Sequence, residues 1–139
     1  MQFGFDDAWE VINWRKRNGD DVEISQQLMW FEESAEFSVA DAEFMKEPTA
    51  ATKDALMEEL ADTLIMAWHL AALYYCYEQV EELVKNVDET ISTSLAIARL
   101  SRALRHTTRK KYDNNVLVHD IANVIIALTT DAHDLDVSG

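Results

Sequence analysis

The stretch LMEELADTLIMAWHLAALYYCY, residues 56–77, decides the fold class. Its apolar residues recur every three or four positions, which is the period of an α-helix that buries one face. The clearest of them are Leu56, Leu60, Leu64, Ala67 and Ala71. The longest apolar run within it, 64–77, contains His69, and it is shorter than the roughly 20 residues that a membrane-spanning helix needs. The stretch therefore predicts a long helix that is buried on most of its sides.

The composition favours helices in the rest of the chain as well. The 139 residues include only 3 Gly and 1 Pro, which is too little turn chemistry for a many-stranded sandwich or barrel. The same scarcity excludes a glycine-rich phosphate loop, because such loops need clustered glycines. With 26 Asp and Glu against 12 Lys and Arg, the net charge is −14. An acidic surface repels a nucleic-acid backbone, so a protein of this kind that handles phosphates needs a cation beside them.

Two features predict the cellular setting. The single cysteine, Cys76, cannot form an internal disulfide, and the first residues, MQFGFDDAWE, lack the basic start and apolar run of a signal peptide. We therefore expect a cytoplasmic protein that binds neither a membrane nor a nucleic acid.

Helix signals predict one all-α domain over residues 1–139, built as a four-helix bundle with an additional N-terminal helix. The expected helices run from Asp6 or Asp7 to about Arg17, from Ile24 or Ser25 as far as Lys46, from Thr49 or Thr52 to Tyr77, from Ser92 to His106, and from Val116 to about Ala132. Residues 78–88 either continue the third helix or bend away from it. The tail, residues 131–139, is expected to fray. Weak similarity between the two halves of the chain suggests two related helical hairpins.

Two pairs of carboxylates differ from the many other acidic residues in their surroundings. Glu33 and Glu36 lie one turn apart on a helix rich in apolar residues, and Glu59 and Asp62 repeat this spacing on the next helix. Carboxylates on such helices are partly buried, and a buried carboxylate needs a cation or a shared proton. Six of the 12 basic residues fall between 99 and 111, so few are left to pair with these four. The four carboxylates predict an all-oxygen site for Mg²⁺, with Mn²⁺ as a substitute.

The motif that contains these carboxylates resembles the signature of a known family. It reads Glu32-Glu33-x-x-Glu36, then a gap of 22 residues, then Glu59-x-x-Asp62. This pattern is similar to that of the all-α nucleoside triphosphate pyrophosphohydrolases. That family is the MazG-like group, which includes phosphoribosyl-ATP pyrophosphohydrolase and the dimeric dUTPases.

The flanks of the motif agree with the resemblance, which covers about residues 6–75. The segment 8–14 is similar to the leading helix of the family, and 58–64 resembles its Glu-Glu-Leu-Gly-Asp run, with Ala61 in place of Gly. One departure concerns phosphate binding. A basic residue that the family often has one turn before the Glu-Glu pair is Gln27 in this chain.

The resemblance implies an activity and a role for each residue of the motif. The reaction is hydrolysis between the α and β phosphates of a nucleoside triphosphate, which gives a nucleoside monophosphate and pyrophosphate. Glu33, Glu36, Glu59 and Asp62 bind Mg²⁺, and Glu32 lies beside them or positions water. The candidate catalytic residues are Glu32, Glu33 and Glu36, with no choice among them of the general base. The resemblance also implies a homodimer or a tetramer, as does the apolar third helix, which offers more surface than one small bundle covers.

Substrate contacts are expected from two regions outside the acidic motif. The basic residues Arg109, Lys110 and Lys111 are the candidates for phosphate contacts. Trp30 precedes Glu33 by one turn, so its indole either stacks on a nucleotide base or packs in the core. The other tryptophans, Trp14 among them, and His69 are expected to be core residues.

Two further functions compete with this prediction. The excess of acidic residues is also typical of a non-catalytic helical interaction protein, whose charge serves solubility or mimics nucleic acid. The pair His119-Asp120, with His106 upstream and Asp131 or Asp136 downstream, faintly resembles the HD-type metal phosphohydrolases. The placement of the carboxylates distinguishes these functions, because a nucleic-acid mimic spreads them over its surface, whereas a metal site brings them together.

Overall fold

The computed structural model describes residues 5–17, 22–74, 76–86, 91–107 and 114–137. Within these ranges the chain forms six α-helices and no strand, which confirms the predicted all-α class. The helices are α1 (Phe5–Arg17), α2 (Val22–Lys46), α3 (Ala50–Leu73), α4 (Tyr77–Asn86), α5 (Thr93–Thr107) and α6 (Asn114–Val137). None of the described helices is long and apolar enough to cross a membrane.

Two helical hairpins make up the bundle, as the similarity of the two halves suggests. The first pairs α2 with α3 and the second pairs α5 with α6, while α3 also packs on α6 and so joins the hairpins. The outer helices α1 and α4 pack on α3 and α6, respectively. The largest fully buried apolar side chains come from all six helices, so one core serves the whole bundle. Among them are Ile12, Trp30, Leu70, Val80, Leu100, Leu104, Leu117 and Ile121.

The start of α3 is set by a capping box. The Thr49 side chain accepts a hydrogen bond from the Thr52 backbone N–H at 3.1 Å, and the Thr52 hydroxyl oxygen accepts one from the Thr49 N–H at 2.9 Å. The Thr52 hydroxyl also bonds to the Glu47 carbonyl oxygen. These bonds satisfy donors that the first turn of a helix otherwise leaves without partners. Of the two predicted N-caps, Thr49 is the one that the structure shows, directly before the first helical residue, Ala50.

The third helix ends earlier than expected, at Leu73 rather than Tyr77. Tyr74 is its C-cap, and its backbone N–H bonds to the carbonyl oxygens of Leu70 and Ala72. A new helix, α4, then begins at Tyr77, and the Val80 N–H bonds to the Cys76 carbonyl. The apolar residues Val80, Leu83 and Val84 direct α4 toward the core. Residues 78–86 therefore bend away from α3 instead of continuing it.

The last helix is longer than the sequence predicts. Helix α6 continues to Val137, beyond its expected end at about Ala132. Ala132 and Leu135 pack against the core, and Asp131 accepts a hydrogen bond from the Thr93 hydroxyl at 2.5 Å. These contacts extend the helix past the last residue of the apolar periodicity. Residues 138 and 139 lie outside the described ranges.

Much of the apolar surface of the third helix is buried within one chain. Leu56, Leu60, Met66 and Leu70 are all buried by the neighbouring helices. Leu64, Ile65 and Trp68 on the same helix are only partly buried, so the oligomer expected from this helix stays a prediction. Large apolar side chains that are more exposed occur on α2.

Candidate metal centre

Helices α2 and α3 bring three of the four predicted metal ligands together. One carboxylate oxygen each from Glu33, Glu59 and Asp62 lies within 4.8 Å of the other two. The one-turn spacing of Glu59 and Asp62 directs both side chains from α3 toward Glu33 on α2. Within the described residues, this is the group of His, Cys, Asp and Glu side chains whose geometry suits a metal ion.

A buried threonine sets the register of the two helices at this point. The Thr63 hydroxyl lies 2.7 Å from the Glu59 carbonyl oxygen and 3.2 Å from the Glu33 carbonyl oxygen, one residue on each helix. Thr63 has no exposed surface. Because a slip of the helices would leave its hydroxyl without the α2 partner, Thr63 stabilises the arrangement that brings Glu33 beside Glu59. The acidic motif alone did not single out this residue, although it directly follows Asp62.

Two carboxylate oxygens in the cluster are buried without a hydrogen-bond donor. Oε2 of Glu33 and Oε2 of Glu59 are both inaccessible to solvent, and neither has a hydrogen-bond partner among the described residues. A buried anionic oxygen without a partner is costly, whereas a coordinated cation removes most of that cost. The donors are all oxygens, which are the ligands that hard dications such as Mg²⁺ prefer. The residues at this position therefore fit such an ion.

Burial and the neighbouring carboxylates raise the pKa values of Glu33 and Glu59. Burial, followed by the charges of Glu36, Asp62, Glu59 and Glu32, raises the pKa of Glu33 from 4.5 to about 7. Proton uptake and metal binding are therefore alternative ways to relieve the same repulsion.

Glu36 and Glu32 lie at the edge of this cluster. Burial raises the pKa of Glu59, and the charge of Glu36 and a hydrogen bond with it raise that pKa further. Glu36 is exposed, as is Glu32, whose charge still raises the pKa of Glu33. The structure thus gathers all five residues of the motif into one region, with Glu33, Glu59 and Asp62 at its centre.

A cavity of about 380 Å³ adjoins the cluster. Its walls come from α2 and α3, and Glu36 and Glu59 belong both to the cavity and to the acidic site. The other lining residues are Ala35, Val39, Ala40, Glu43 and Ala55. Three alanines and one valine thus line a space directly beside the carboxylates, and Glu43 adds another acidic side chain to its wall. No sequence pattern indicated this cavity, because alanines carry no chemical signal of their own.

Of the four predicted substrate contacts, Trp30 is the one that lies within the described residues. Trp30 has no exposed surface, and its indole N–H donates a hydrogen bond to the Ser101 hydroxyl at 3.1 Å. Of its two expected roles, the structure therefore gives Trp30 the core position, in which the ring offers no face to a nucleotide base. Arg109, Lys110 and Lys111 lie outside the described residues.

Two other predictions about aromatic and histidine side chains have opposite outcomes. Trp14 is 59% exposed, so its expected place in the core is wrong. His69 is a core residue as expected, with Nδ1 3.5 Å from the Gln26 amide nitrogen. Burial, followed by the charge of Arg15, lowers the pKa of His69 to about 4. The imidazole is therefore neutral near pH 7.

The structure also describes part of the HD-type alternative. Nδ1 of His119 lies 2.7 Å from the Asn115 carbonyl oxygen one turn earlier, on the exposed side of α6. Asp131 is held by Thr93. Among the described residues, neither these two nor His106, Asp120 and Asp136 belong to a cluster with metal-binding geometry.

Comparison of the chain with protein-family models, with curated proteins and with solved structures found no match.

Proposed function

We propose that this protein is a Mg²⁺-dependent nucleoside triphosphate pyrophosphohydrolase of the MazG-like kind. The observation that carries the proposal is the convergence of Glu33, Glu59 and Asp62, in which two buried carboxylate oxygens have no hydrogen-bond donor among the described residues. The reaction adds water to the α-phosphorus and breaks its bond to the oxygen that bridges to the β-phosphorus. The products are a nucleoside monophosphate and pyrophosphate.

The residues of the cluster would divide this chemistry between metal binding and proton transfer. Glu33, Glu59 and Asp62 would hold Mg²⁺ or Mn²⁺, with Glu36 completing the set from the edge of the cluster. The bound ion would offset the phosphate charge that a chain of net charge −14 otherwise repels. Glu32 and Glu36 are exposed beside the cluster, and either can accept the proton of the attacking water. Arg109, Lys110 and Lys111 remain the proposed phosphate contacts from the second half of the chain.

The position of the carboxylates favours this function over an acidic interaction protein. A mimic of nucleic acid gains from charges that are spread over its surface and exposed. Glu33 and Glu59 instead have buried oxygens that face each other, which costs stability in the absence of a cation. A function that needs the metal explains why the chain tolerates that cost. The single cysteine also suits a reducing compartment, so a cytoplasmic location is part of the proposal.

A product assay on a panel of nucleoside triphosphates tests the proposal. With Mg²⁺ present, we expect pyrophosphate and a nucleoside monophosphate in equal amounts, and chelation by EDTA should stop the reaction. Pyrophosphate and orthophosphate must be measured separately. Release of orthophosphate alone would contradict cleavage between the α and β phosphates.

Matched variants on α3 connect the activity to the cluster. Asp62→Asn should lower turnover by at least about 100-fold, since losing a metal ligand costs more than losing one of its outer partners. Asp54→Asn removes the same charge from an exposed position two turns earlier and should leave turnover unchanged. Near-full activity of Asp62→Asn, with the control behaving as expected, would place the site elsewhere in the chain.

We also propose that a second copy of the chain covers one face of α2. The α2 stripe comprises Ile24, Leu28, Phe31, Ala35, Val39 and Ala42, which are all exposed. Ile24, Leu28 and Val39 are 57%, 61% and 58% exposed, respectively. The stripe holds no charged residue over about five turns in a chain with 27% charged residues, so a second copy can cover it without burying a charge. Because Ala35 and Val39 also line the cavity, a copy docked there would close the cavity beside the carboxylates.

A further inference from the structure

We propose that Arg15, on α1, contacts the phosphate chain of the nucleotide beside the carboxylate cluster. This inference rests on the proposed function and adds a residue that lies outside the acidic motif and outside the basic run 105–111. The observations that carry it are the hydrogen bonds that hold the Arg15 guanidinium against α2 and the register of those bonds relative to the carboxylates.

Two side chains at the start of α2 hold the guanidinium in place. Nη1 of Arg15 donates to Oε1 of Gln26 at 2.7 Å, and Nη2 donates to the Ser25 hydroxyl. Nη1 also lies 3.8 Å from the sulfur of Met29, one turn further along the helix. Because its two terminal nitrogens bind different partners, the guanidinium plane has a defined orientation, and little conformational entropy is left to lose when an anion binds.

A second set of contacts fixes the residue that holds Arg15. Gln26 is fully buried, and its amide nitrogen lies 3.3 Å from the Met66 sulfur and 3.5 Å from Nδ1 of His69. Both of these partners belong to α3. The position of Arg15 is therefore tied to both helices that carry the carboxylates, although Arg15 itself belongs to α1.

The register places this cation within about two turns of the carboxylate cluster. On α2, Met29 precedes Glu33 by four residues, and on α3, Met66 follows Asp62 by four residues. Four residues advance an α-helix by about 6 Å, which is close to one turn. Met29 and Met66 therefore lie about one turn from the cluster, and Gln26, which precedes Glu33 by seven residues, lies about two turns from it. A phosphate chain held at the carboxylates through Mg²⁺ would extend to the guanidinium within the length of a triphosphate.

The chemistry of the site needs a cation at this position. In a chain of net charge −14, a triphosphate whose first phosphate lies at the metal still carries several negative charges beyond it. Arginine suits them, because its planar group donates two parallel hydrogen bonds to a phosphate and stays charged at any relevant pH. Gln27, where the resemblance leads one to expect a basic residue, instead bonds to Tyr74 at 2.7 Å and Thr107 at 3.0 Å. Arg15 supplies a positive charge from the neighbouring helix.

Titration calorimetry with inorganic pyrophosphate and MgCl₂ tests the inference without turnover. We expect Arg15→Gln to weaken pyrophosphate binding by about 10-fold or more, as the loss of a charge-assisted bidentate contact does. Binding of Mg²⁺ alone should change less than about 3-fold, since Arg15 is not a metal ligand. Arg15→Lys keeps the positive charge but lacks the planar guanidinium. Its affinity for pyrophosphate should lie between those of the wild type and Arg15→Gln. Arg17→Gln, an exposed residue at the end of the same helix, is the matched control and should bind pyrophosphate like the wild type.

Kinetics and stability separate phosphate binding from a structural role of Arg15. For phosphate binding, Arg15→Gln should raise KM for the triphosphate about 10-fold while kcat changes less. If Arg15 only ties α1 to α2, the variant would melt at a lower temperature but bind pyrophosphate with unchanged affinity once folded, and the inference would be wrong. The inference also fails if the wild-type protein does not bind pyrophosphate. Failure of the proposed function alone would give a different result. Pyrophosphate would still bind in a way that depends on Arg15, but the protein would hydrolyse no triphosphate.

Discussion

At the scale of single residues, Glu33 links stability to ligand binding. Its Oε2 is buried beside Glu59 and Asp62 without a hydrogen-bond donor among the described residues, so the ionised side chain destabilises the metal-free fold. The surroundings raise its pKa to about 7, which means that the folded chain holds a proton more tightly than the unfolded chain does. A dication removes the same repulsion. The ionised carboxylates should therefore lower the stability of the fold without metal and raise it when a dication is bound.

Replacing Glu33 should reveal this reversal directly. In EDTA at pH 8, Glu33→Gln should melt about 3–5 °C above the wild type, which corresponds to a gain of about 1 kcal/mol for a half-buried carboxylate that water still screens. In 10 mM MgCl₂ the order should invert, because only the wild type gains the free energy of metal binding. Differential scanning calorimetry measures both conditions. A melting temperature of Glu33→Gln that stays below the wild type in EDTA would show that the carboxylates do not repel one another.

The pH dependence of this difference is a separate prediction. Because the folded pKa of Glu33 is raised from 4.5 to about 7, its protonation favours folding at low pH. That contribution is complete below about pH 4.5 and is lost as the pH rises through 7. The stability advantage of Glu33→Gln in EDTA should therefore be small at pH 5 and largest above pH 7.5.

The comparison with the variant is needed because His69 changes stability in the other direction. Its folded pKa is lowered to about 4, so the unfolded chain takes up a proton that the folded chain excludes, and stability falls below about pH 6.5. Subtracting the curve of Glu33→Gln from that of the wild type cancels this contribution. A difference that does not vary between pH 5 and pH 8.5 would contradict the raised pKa of Glu33.

At the scale of elements, helix starts and periodic faces could be predicted from the sequence, and helix ends less well. The apolar period placed α3, and Thr49 was one of its two expected caps. The end of α3 at Leu73 could not be predicted, because apolar residues continue on both sides of it. The position of this end depends on how α4 packs on α6. Likewise, α6 continues past Ala132 because of tertiary contacts made by Leu135 and of the bond between Asp131 and Thr93.

The capping box at the start of α3 gives a prediction for one element. Thr49→Ala removes the acceptor for the Thr52 N–H and should lower the free energy of unfolding by about 1 kcal/mol in urea denaturation. Thr49→Ser keeps the hydroxyl oxygen, so its free energy of unfolding should fall much less. Turnover should be unchanged for both, since Glu59 lies more than two turns beyond the cap. Equal losses for the two variants would show that the hydroxyl bond is not what stabilises the start of the helix.

At the scale of the whole molecule, the parts of the site that the sequence predicted are those encoded within two helices. The one-turn spacing of Glu59 and Asp62 and the short connection between α2 and α3 are sufficient to predict their convergence with Glu33. Arg15 and the cavity depend on how separate helices pack together, and no local pattern reports that. Trp14 shows the converse error, because an aromatic residue at a helical spacing suggested a core position that the packing of α1 does not provide.

The α2 stripe makes the final prediction, which concerns assembly. A wild-type chain of 15.9 kDa should sediment as a dimer of twice that mass at micromolar concentrations, because each copy buries the other's uncharged stripe. Leu28→Glu places a charge within the α2 stripe and should give a monomer. Leu95→Glu, at an exposed apolar position on α5 outside the stripe, is the control and should remain a dimer.

Activity distinguishes a functional interface from a passive one. Because Ala35 and Val39 line both the α2 stripe and the cavity, the Leu28→Glu monomer should lose affinity for the triphosphate while its carboxylates still bind Mg²⁺. Dilution of the wild type below its dimer dissociation constant should have the same effect, so its specific activity should fall with concentration. A wild type that sediments as a monomer at 100 μM and keeps its specific activity on dilution would show that α2 is not covered by a second copy. The cavity beside Glu36 and Glu59 would then be complete within one chain.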